Sequence, residues 1–188
     1  MPTRPKFFLL DAGPVIELHR LGLWQDVIAR ADITLPGKVF DDEAAFWDGG
    51  DGVGHPIHLE DEAAAGRIKV ARAESTDLTE TARRFDPTVR ERVDQGELEA
   101  IALLLKWAEP LPQLCTADRM AVVALCLVGL SHVPVSLEGL LETIGLGRQL
   151  QWKHSKAALM RWRAEGTARH IDGSGLTVPG PRTRKARR

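Results

Sequence analysis

Short apolar runs of strand length alternate with amphipathic segments of helix length along this chain. The first run, 7–10, is followed at once by Asp11, and a later one, 113–117, is followed by Asp118. Continuous apolar runs of this length are typical of strands buried on both faces, and strands that alternate with helices are typical of a parallel sheet. The 188 residues suffice for one well-buried domain. We therefore expect an α/β fold with a central parallel sheet between two layers of helices.

The remaining elements are predicted from periodicity and from turn residues. Strands are expected at 33–35, 68–73 and 133–135, and helices at 15–23, 24–31, 76–93 with a break at Pro87, 96–108, 119–127 and 137–144. After Pro36-Gly37 we predict a helix with Val39, Phe40, Ala44 and Trp47 on its buried side. The Gly-rich stretch 47–56 is predicted to be a loop, followed by a short acidic helix.

Charge divides the chain into an acidic body and a basic C-terminal extension. Residues 1–147 carry 14 Lys/Arg and 24 Asp/Glu, whereas residues 148–188 carry 11 and 2. We expect a domain at 5–147, and an extension at 148–188 that consists of a basic helix over 153–163 and a disordered end. The extension either guides a nucleic acid or covers a partner surface, or it is merely a solvated tail. Its candidate residues for the first role are Trp152, Lys153, Lys156, Arg161 and Arg163.

The sequence shows no membrane segment and no cysteine framework. No apolar run approaches the roughly 18 residues of a membrane span, and the apolar stretch near the start is too short for a signal peptide, so we expect a cytoplasmic protein. Cys115 and Cys126 both lie in apolar runs, which favours two reduced core thiols over a disulfide or a metal site.

Acidic side chains are the candidate functional groups. Asp11 and Asp118 follow strands, and the carboxyl ends of parallel strands are where an open sheet binds its ligands. Further acids begin two predicted helices, with Asp42 or Glu43 on one and Glu97 or Glu99 on the other. Mg²⁺ and Mn²⁺ take hard oxygen ligands, which two to four converging carboxylates supply. Each acid taken alone is equally well explained as a helix cap or by a favourable position at a helix N-terminus.

Taken in order, five stretches resemble the motifs of PIN-domain ribonucleases: FFLLDAGPVIELHRLGLW, ITLPGKVFDDEA, DQGELEAIALLLKWA, LCTADRMAVVALCLVGL and SHVPVSLEGLLETIG. The resemblance covers 7–145 and implies a three-layer α/β/α PIN-like domain that hydrolyses RNA phosphodiester bonds with Mg²⁺ or Mn²⁺. It assigns the metal-binding and catalytic role to four residues, namely Asp11, Asp42, Glu97 and Asp118. Glu43 and Glu99 are the alternatives to the second and third of these. Thr116 would then hydrogen-bond a carboxylate or a metal-bound water, and Arg119 would meet a phosphate.

Within this family, a compact chain such as this one resembles the toxins of VapC-type toxin–antitoxin pairs. That likeness implies an antitoxin protein as partner and a homodimer. The alternative is a non-catalytic PIN-like module that binds RNA or protein, in which the acids serve only as caps. The two can be separated by whether Asp11, Glu97 and Asp118 converge in space.

Other Asp- or Gly-based sites fit the sequence less well. A haloacid-dehalogenase site would need a second Asp at position 13, which is Gly13, and a response regulator would need a strand-end Lys that the sequence lacks. The Gly50-x-Gly52-x-Gly54 string does not follow a strand, as a dinucleotide-binding loop would. The pair His55 and His58 has no third metal ligand nearby in the sequence.

Overall fold

The computed structural model describes residues 7–50 and 52–177. The strands in these residues are β1 (Phe7–Leu10), β2 (Asp32–Pro36), β3 (Phe46–Asp48), β4 (Gly54–Pro56), β5 (Ile68–Ala71), β6 (Gln113–Cys115) and β7 (Pro134–Val135). The helices are α1 (Ala12–Arg20), α2 (Trp24–Ile28), α3 (Leu59–Ala64), α4 (Ser75–Arg84), α5 (Pro87–Arg90), α6 (Gln95–Lys106), α7 (Arg119–Leu127), α8 (Leu137–Thr143) and α9 (Lys156–Asp172). A π-helical turn at Val39–Glu43 and a 3₁₀ turn at Trp152–His154 complete the set.

Five strands form one parallel sheet in the order β5-β2-β1-β6-β7. From β1 the chain builds outward through β2 to β5, and it then returns to the other side of β1 to add β6 and β7. The order of the strands therefore reverses between β1 and β6, and such a switch point opens a crevice at the carboxyl ends of the strands. Because Leu10 pairs with Cys115, Asp11 lies beside Thr116 at this crevice.

Helices cover both faces of the sheet, as the sequence predicts. Phe8 and Leu10 of β1 belong to one apolar cluster, which α1, α2, α3 and α8 complete. Leu9, which points to the opposite face, belongs to a second cluster with residues of α5, α6 and α7. Two buried layers on one sheet give the α/β/α arrangement.

The C-terminal extension packs on the domain through α9, which is longer than the predicted 153–163 helix. Trp162 and Leu159 of α9 join Val122 and Cys126 of α7 in a third buried cluster. Beyond α9 the chain returns to α4, where Thr177 N–H donates to Arg84 O at 2.8 Å. Residues 174–177 were predicted to begin a disordered end but are held here by main-chain contacts, while 178–188 lie outside the described residues.

The predicted helix over 39–47 is wrong beyond its first turn. The chain makes the single π-helical turn, closed by Ala44 N–H on Val39 O at 3.1 Å, and then extends. The predicted loop 47–56 is instead an antiparallel hairpin of β3 and β4 around a shorter loop. Trp47 stacks on His55 across this hairpin at a ring-centroid distance of 4.3 Å, which uses the Trp for strand pairing rather than for a helix face.

The structure bears on two further expectations, which concern the cysteines and membrane-spanning helices. Cys115 and Cys126 are both buried free thiols, so the predicted reduced pair is confirmed. In the described part of the chain, no helix is both long and apolar enough to cross a membrane.

Candidate active site

Asp11 is fixed at the end of β1 by groups from two strands. Its main-chain N–H donates to Cys115 O at 3.0 Å, which continues the pairing of β1 with β6 by one residue. Its Oδ1 accepts from Ala12 N–H at 2.8 Å and caps α1, and its Oδ2 accepts from the Thr116 hydroxyl at 2.7 Å. The side chain is 9% exposed, and this burial raises the pKa of Asp11 to about 6.

Thr116 links the two strand-end acids. Its hydroxyl donates to Asp11 and accepts from Asp118 N–H at 3.0 Å. The Asp118 carboxylate in turn caps α7, because its Oδ1 accepts from the N–H groups of Met120 and Ala121. The prediction that Thr116 hydrogen-bonds a carboxylate is therefore confirmed. The helix-capping bonds of Asp11 and Asp118 also help to orient their carboxylates.

Glu97 enters the same crevice from the first turn of α6. Asp94 and Glu97 form a capping box, in which Asp94 Oδ1 accepts from Glu97 N–H at 2.8 Å and Glu97 Oε2 accepts from Asp94 N–H at 3.1 Å. Glu97 is 4% exposed. Burial, the charges of Asp118 and Asp94 and a hydrogen bond with Asp118 together raise the pKa of Glu97 to about 10. Without a bound cation, the protonated form of Glu97 is therefore favoured over its carboxylate at neutral pH.

Glu43, rather than Asp42, lines the crevice. Glu43 Oε1 accepts from Gly96 N–H at 3.1 Å, and burial together with the charges of Asp94 and Asp11 raises the pKa of Glu43. A Cβ at Gly96 would lie 2.0 Å from Glu43 Oε2, so this approach requires a glycine. Asp42 is exposed and pairs with Lys38. Consecutive residues of a helical turn project about 100° apart, which sends the two acids to different sides.

Glu99 has a structural position outside the crevice. Its Oε2 accepts from Lys38 N–H at 2.6 Å and its Oε1 accepts from Ala73 N–H at 3.1 Å, which ties α6 to the chain after β2 and after β5. The two residues from Glu97 to Glu99 span about 200° of helix, so both acids cannot face the same cleft. Of the alternatives left by the sequence, the cleft contains Glu43 and Glu97, and it does not contain Asp42 or Glu99.

The resulting cleft has a volume of about 320 Å³ and lies over the ends of β1 and β6. Its lining residues are Asp11, Ala12, Gly13, Glu43, Asp94, Glu97, Ala117, Asp118 and Lys153. Sequence reasoning did not single out Asp94, although its spacing to Glu97 is the acidic form of a capping box. Among the described residues, no three His, Cys, Asp or Glu side chains already stand in the geometry of a metal-binding group.

The donor set of this cleft fits a hard divalent cation. Apart from Lys153, its charged groups are carboxylates at the end of β1, at the starts of α6 and α7 and in the π-helical turn, and carboxylate oxygens are the ligands that Mg²⁺ and Mn²⁺ prefer. Burial is the main cause of the raised pKa values of Asp11, Glu43 and Glu97, and the negative charges of neighbouring acids raise them further. A cation that binds there would displace the proton of Glu97.

Arg119, for which a phosphate contact is predicted, is paired with an acid of α9 and does not line the cleft. Its guanidinium makes a two-point contact with Glu165 of α9, with Nε to Oε2 at 2.8 Å and Nη2 to Oε1 at 2.5 Å. Arg169 also contacts Glu165, at 2.9 Å. Arg119 therefore joins α7 to α9.

Comparison of this chain with protein-family models, with curated proteins and with solved structures found no match. What the cleft does has to be inferred from its own residues.

Proposed function

We propose that this chain is a divalent-metal-dependent ribonuclease of the PIN type, which hydrolyses RNA phosphodiester bonds. The observation that carries the proposal is convergence: Asp11, Glu97 and Asp118 come from three separate elements and line one cleft. Helix capping alone explains why each acid begins a helix, but it does not require that the three meet. A shared ion does require it, because its oxygen ligands lie within about 2.0–2.6 Å of it.

The residues that would hold Mg²⁺ or Mn²⁺ are Asp11, Glu97 and Asp118, with Glu43 in the place that the family resemblance gives to Asp42. The bound cation would supply an activated water and would neutralise charge on the phosphoryl oxygens. The protein would supply the orientation: Thr116 holds the Asp11 carboxylate, and the capping box holds Glu97. These hydrogen bonds fix the acids before substrate arrives.

The order of the elements supports the PIN assignment. The first acid follows the central strand, Glu97 begins a helix, and the last acid follows the neighbouring strand through Thr116-Ala117-Asp118, as in the motifs that the sequence resembles. An antitoxin partner and a homodimer follow from the same resemblance. No observation on residues 7–50 and 52–177 bears on either, and both stay predictions.

The test is cleavage of labelled single-stranded and structured RNAs by the purified protein in Mg²⁺, Mn²⁺ or EDTA. The inactivating variant is the double change Asp11→Asn and Asp118→Asn. Its matched control is Asp26→Asn with Asp32→Asn, two exposed acids of α2 and of the amino end of β2 that remove the same charge away from the cleft. We expect metal-dependent cleavage by the wild type and by the control, and loss of cleavage in the inactivating variant.

Two outcomes would contradict the proposal. Equal activity of the wild type and the inactivating variant would identify a contaminating nuclease. Absence of cleavage on all RNAs, with RNA binding retained, would favour the non-catalytic PIN-like binding module, in which the acids only cap helices.

A further inference from the structure

Lys153 is the only positively charged side chain among the residues that line the acidic cleft in the described part of the chain. It is exposed and forms no ion pair with another described residue. Arg119, which neighbours Asp118 in sequence, is instead held by Glu165. Lys153 is therefore the cation that remains available to an anionic ligand at the cleft.

The 3₁₀ turn Trp152–His154 holds Lys153 in place. The Ser155 hydroxyl donates to Trp152 O at 2.6 Å, and its oxygen accepts from Ala158 N–H at 3.2 Å, which starts α9 directly after the turn. His154 is 1% exposed and anchors the turn in the domain. The C-terminal extension thus reaches the cleft through an ordered turn.

Trp152 places an aromatic surface next to Lys153. It is 53% exposed, whereas its neighbour Trp162 is 7% exposed. The two rings meet edge to face, with centroids 5.6 Å apart and planes at 88°. An indole that is anchored by one contact and half open to solvent can stack on a base with little loss of conformational entropy. Trp152 directly precedes Lys153 in the same 3₁₀ turn, and of the two only Lys153 lines the cleft, so the exposed indole lies at its border.

We propose that Trp152 and Lys153 bind the substrate strand at the acidic cleft, with Lys153 on a backbone phosphate and Trp152 stacked on an unpaired base. The substrate class is therefore single-stranded RNA, because the bases of a duplex are already stacked and turned inward. The inference rests on the proposed function for the role of the cleft. Lys153 would supply an attraction for the RNA polyanion at a cleft whose carboxylates repel it.

The first experiment measures binding of a fluorescein-labelled oligoribonucleotide, single-stranded or annealed to its complement, by anisotropy in Ca²⁺, with RNA integrity checked on a denaturing gel. The variants are Lys153→Met, Trp152→Leu and Trp152→Phe. The control is Arg30→Gln, which removes one exposed positive charge between α2 and β2, outside the cleft.

We expect wild-type protein to prefer the single strand. Lys153→Met should weaken binding and lower the slope of log affinity against log salt by about 0.7, the value for one phosphate contact on a single strand. Trp152→Leu should weaken binding by about fivefold to a hundredfold, the range for one stacked base, while Trp152→Phe keeps most of the affinity. Arg30→Gln should stay close to the wild type. Thermal melting of each variant separates loss of binding from loss of folding.

Steady-state cleavage supplies the second readout. Both residues act on substrate binding, so we expect KM to rise more than kcat falls in Lys153→Met and Trp152→Leu. Equal affinities and salt slopes for Lys153→Met, Trp152→Leu and Arg30→Gln would overturn the inference, and so would a preference for duplex RNA. Failure of the proposed function looks different: binding would still depend on Lys153 and Trp152, but no RNA would be cut in any metal.

Discussion

The carboxylates of Asp11 and Asp118 each cap a helix and also line the same cleft. Asp11 caps α1 and Asp118 caps α7, and one hydroxyl, that of Thr116, connects them. The strand-end positions of both acids could be predicted from sequence, since an apolar strand followed by Asp is a local pattern. The choice between Asp42 and Glu43 could not, because it depends on the rotation of one π-helical turn.

The first residue-scale prediction separates Glu43 from Asp42. Glu43→Gln should lower Mn²⁺ affinity and cleavage by about tenfold or more, because it removes a charged oxygen from the cleft. Asp42→Asn should leave both within about twofold, because it removes only an exposed pair with Lys38, which solvent screens. Calorimetric titration with Mn²⁺ and initial cleavage rates provide the measurements. The reverse ranking would return the second acid to Asp42.

The second residue-scale prediction concerns Thr116. Thr116→Val removes the donor to Asp11 and the acceptor for Asp118 N–H at a side chain that is 2% exposed. We expect metal affinity to fall by about tenfold to a hundredfold and the free energy of unfolding to fall by about 1–3 kcal/mol. Thr116→Ser keeps the hydroxyl and is the matched control. If Val and Ser variants bind Mn²⁺ equally well, the hydroxyl does not position the acids.

At the scale of elements, the strands and helices of the sheet could be predicted better than the segments that leave it. Strands β1 and β6 and helix α7 have continuous apolar patterns, and these determine burial on both faces. The hairpin of β3 and β4 escaped prediction because it has little buried apolar alternation and is held by local pairing such as that of Trp47 with His55. The predicted helix in the extension was shorter than α9, because the basic residues of this segment obscure the periodicity of its few buried residues, such as Trp162.

The close crossing of α7 and α9 yields an element-scale prediction. A Cβ at Gly166 would lie 2.7 Å from Cys126 Cβ and 3.0 Å from Val123 Cα, so there is no room for alanine without separating the helices. Helix propensity alone would make Gly166→Ala stabilising by about 1 kcal/mol. We expect the clash to reverse the sign and to lower the free energy of unfolding by about 1–2 kcal/mol. Urea denaturation measures it, with Met160→Ala, a change at an exposed position of the same helix, as control. Increased stability of Gly166→Ala would contradict the tight crossing.

At the scale of the whole molecule, the acids of the cleft make the stability of the folded state depend on pH. The folded state raises the pKa of Glu97 from 4.5 to about 10 and that of Asp11 from 3.8 to about 6. A raised carboxyl pKa means that the folded state binds protons more tightly than the unfolded state. The contribution of these groups is therefore most favourable below about pH 4 and is lost as pH rises through 6 for Asp11 and toward 10 for Glu97.

The corresponding prediction concerns the shift in melting temperature that saturating Mg²⁺ or Mn²⁺ produces relative to EDTA. We expect the shift to be larger at pH 8.5 than at pH 6, because fewer protons compete with the cation and more uncompensated charge is present. Taking the difference at each pH cancels the other ionisable groups. The variant Asp11→Asn with Asp118→Asn should show little shift at either pH. A shift that is independent of pH would mean that the cation binds away from these acids.

The order of the strands has a consequence for how the protein can be followed as it folds. Asp11 comes from the first strand, whereas Thr116 and Asp118 come more than 100 residues later, and they meet only when β6 has docked beside β1. The proposed metal affinity would then be a property of the assembled sheet and of neither half of the chain. Uptake of a paramagnetic ion such as Mn²⁺ would mark the moment at which the two halves join, and fragments divided between β5 and β6 would gain affinity for it only on mixing.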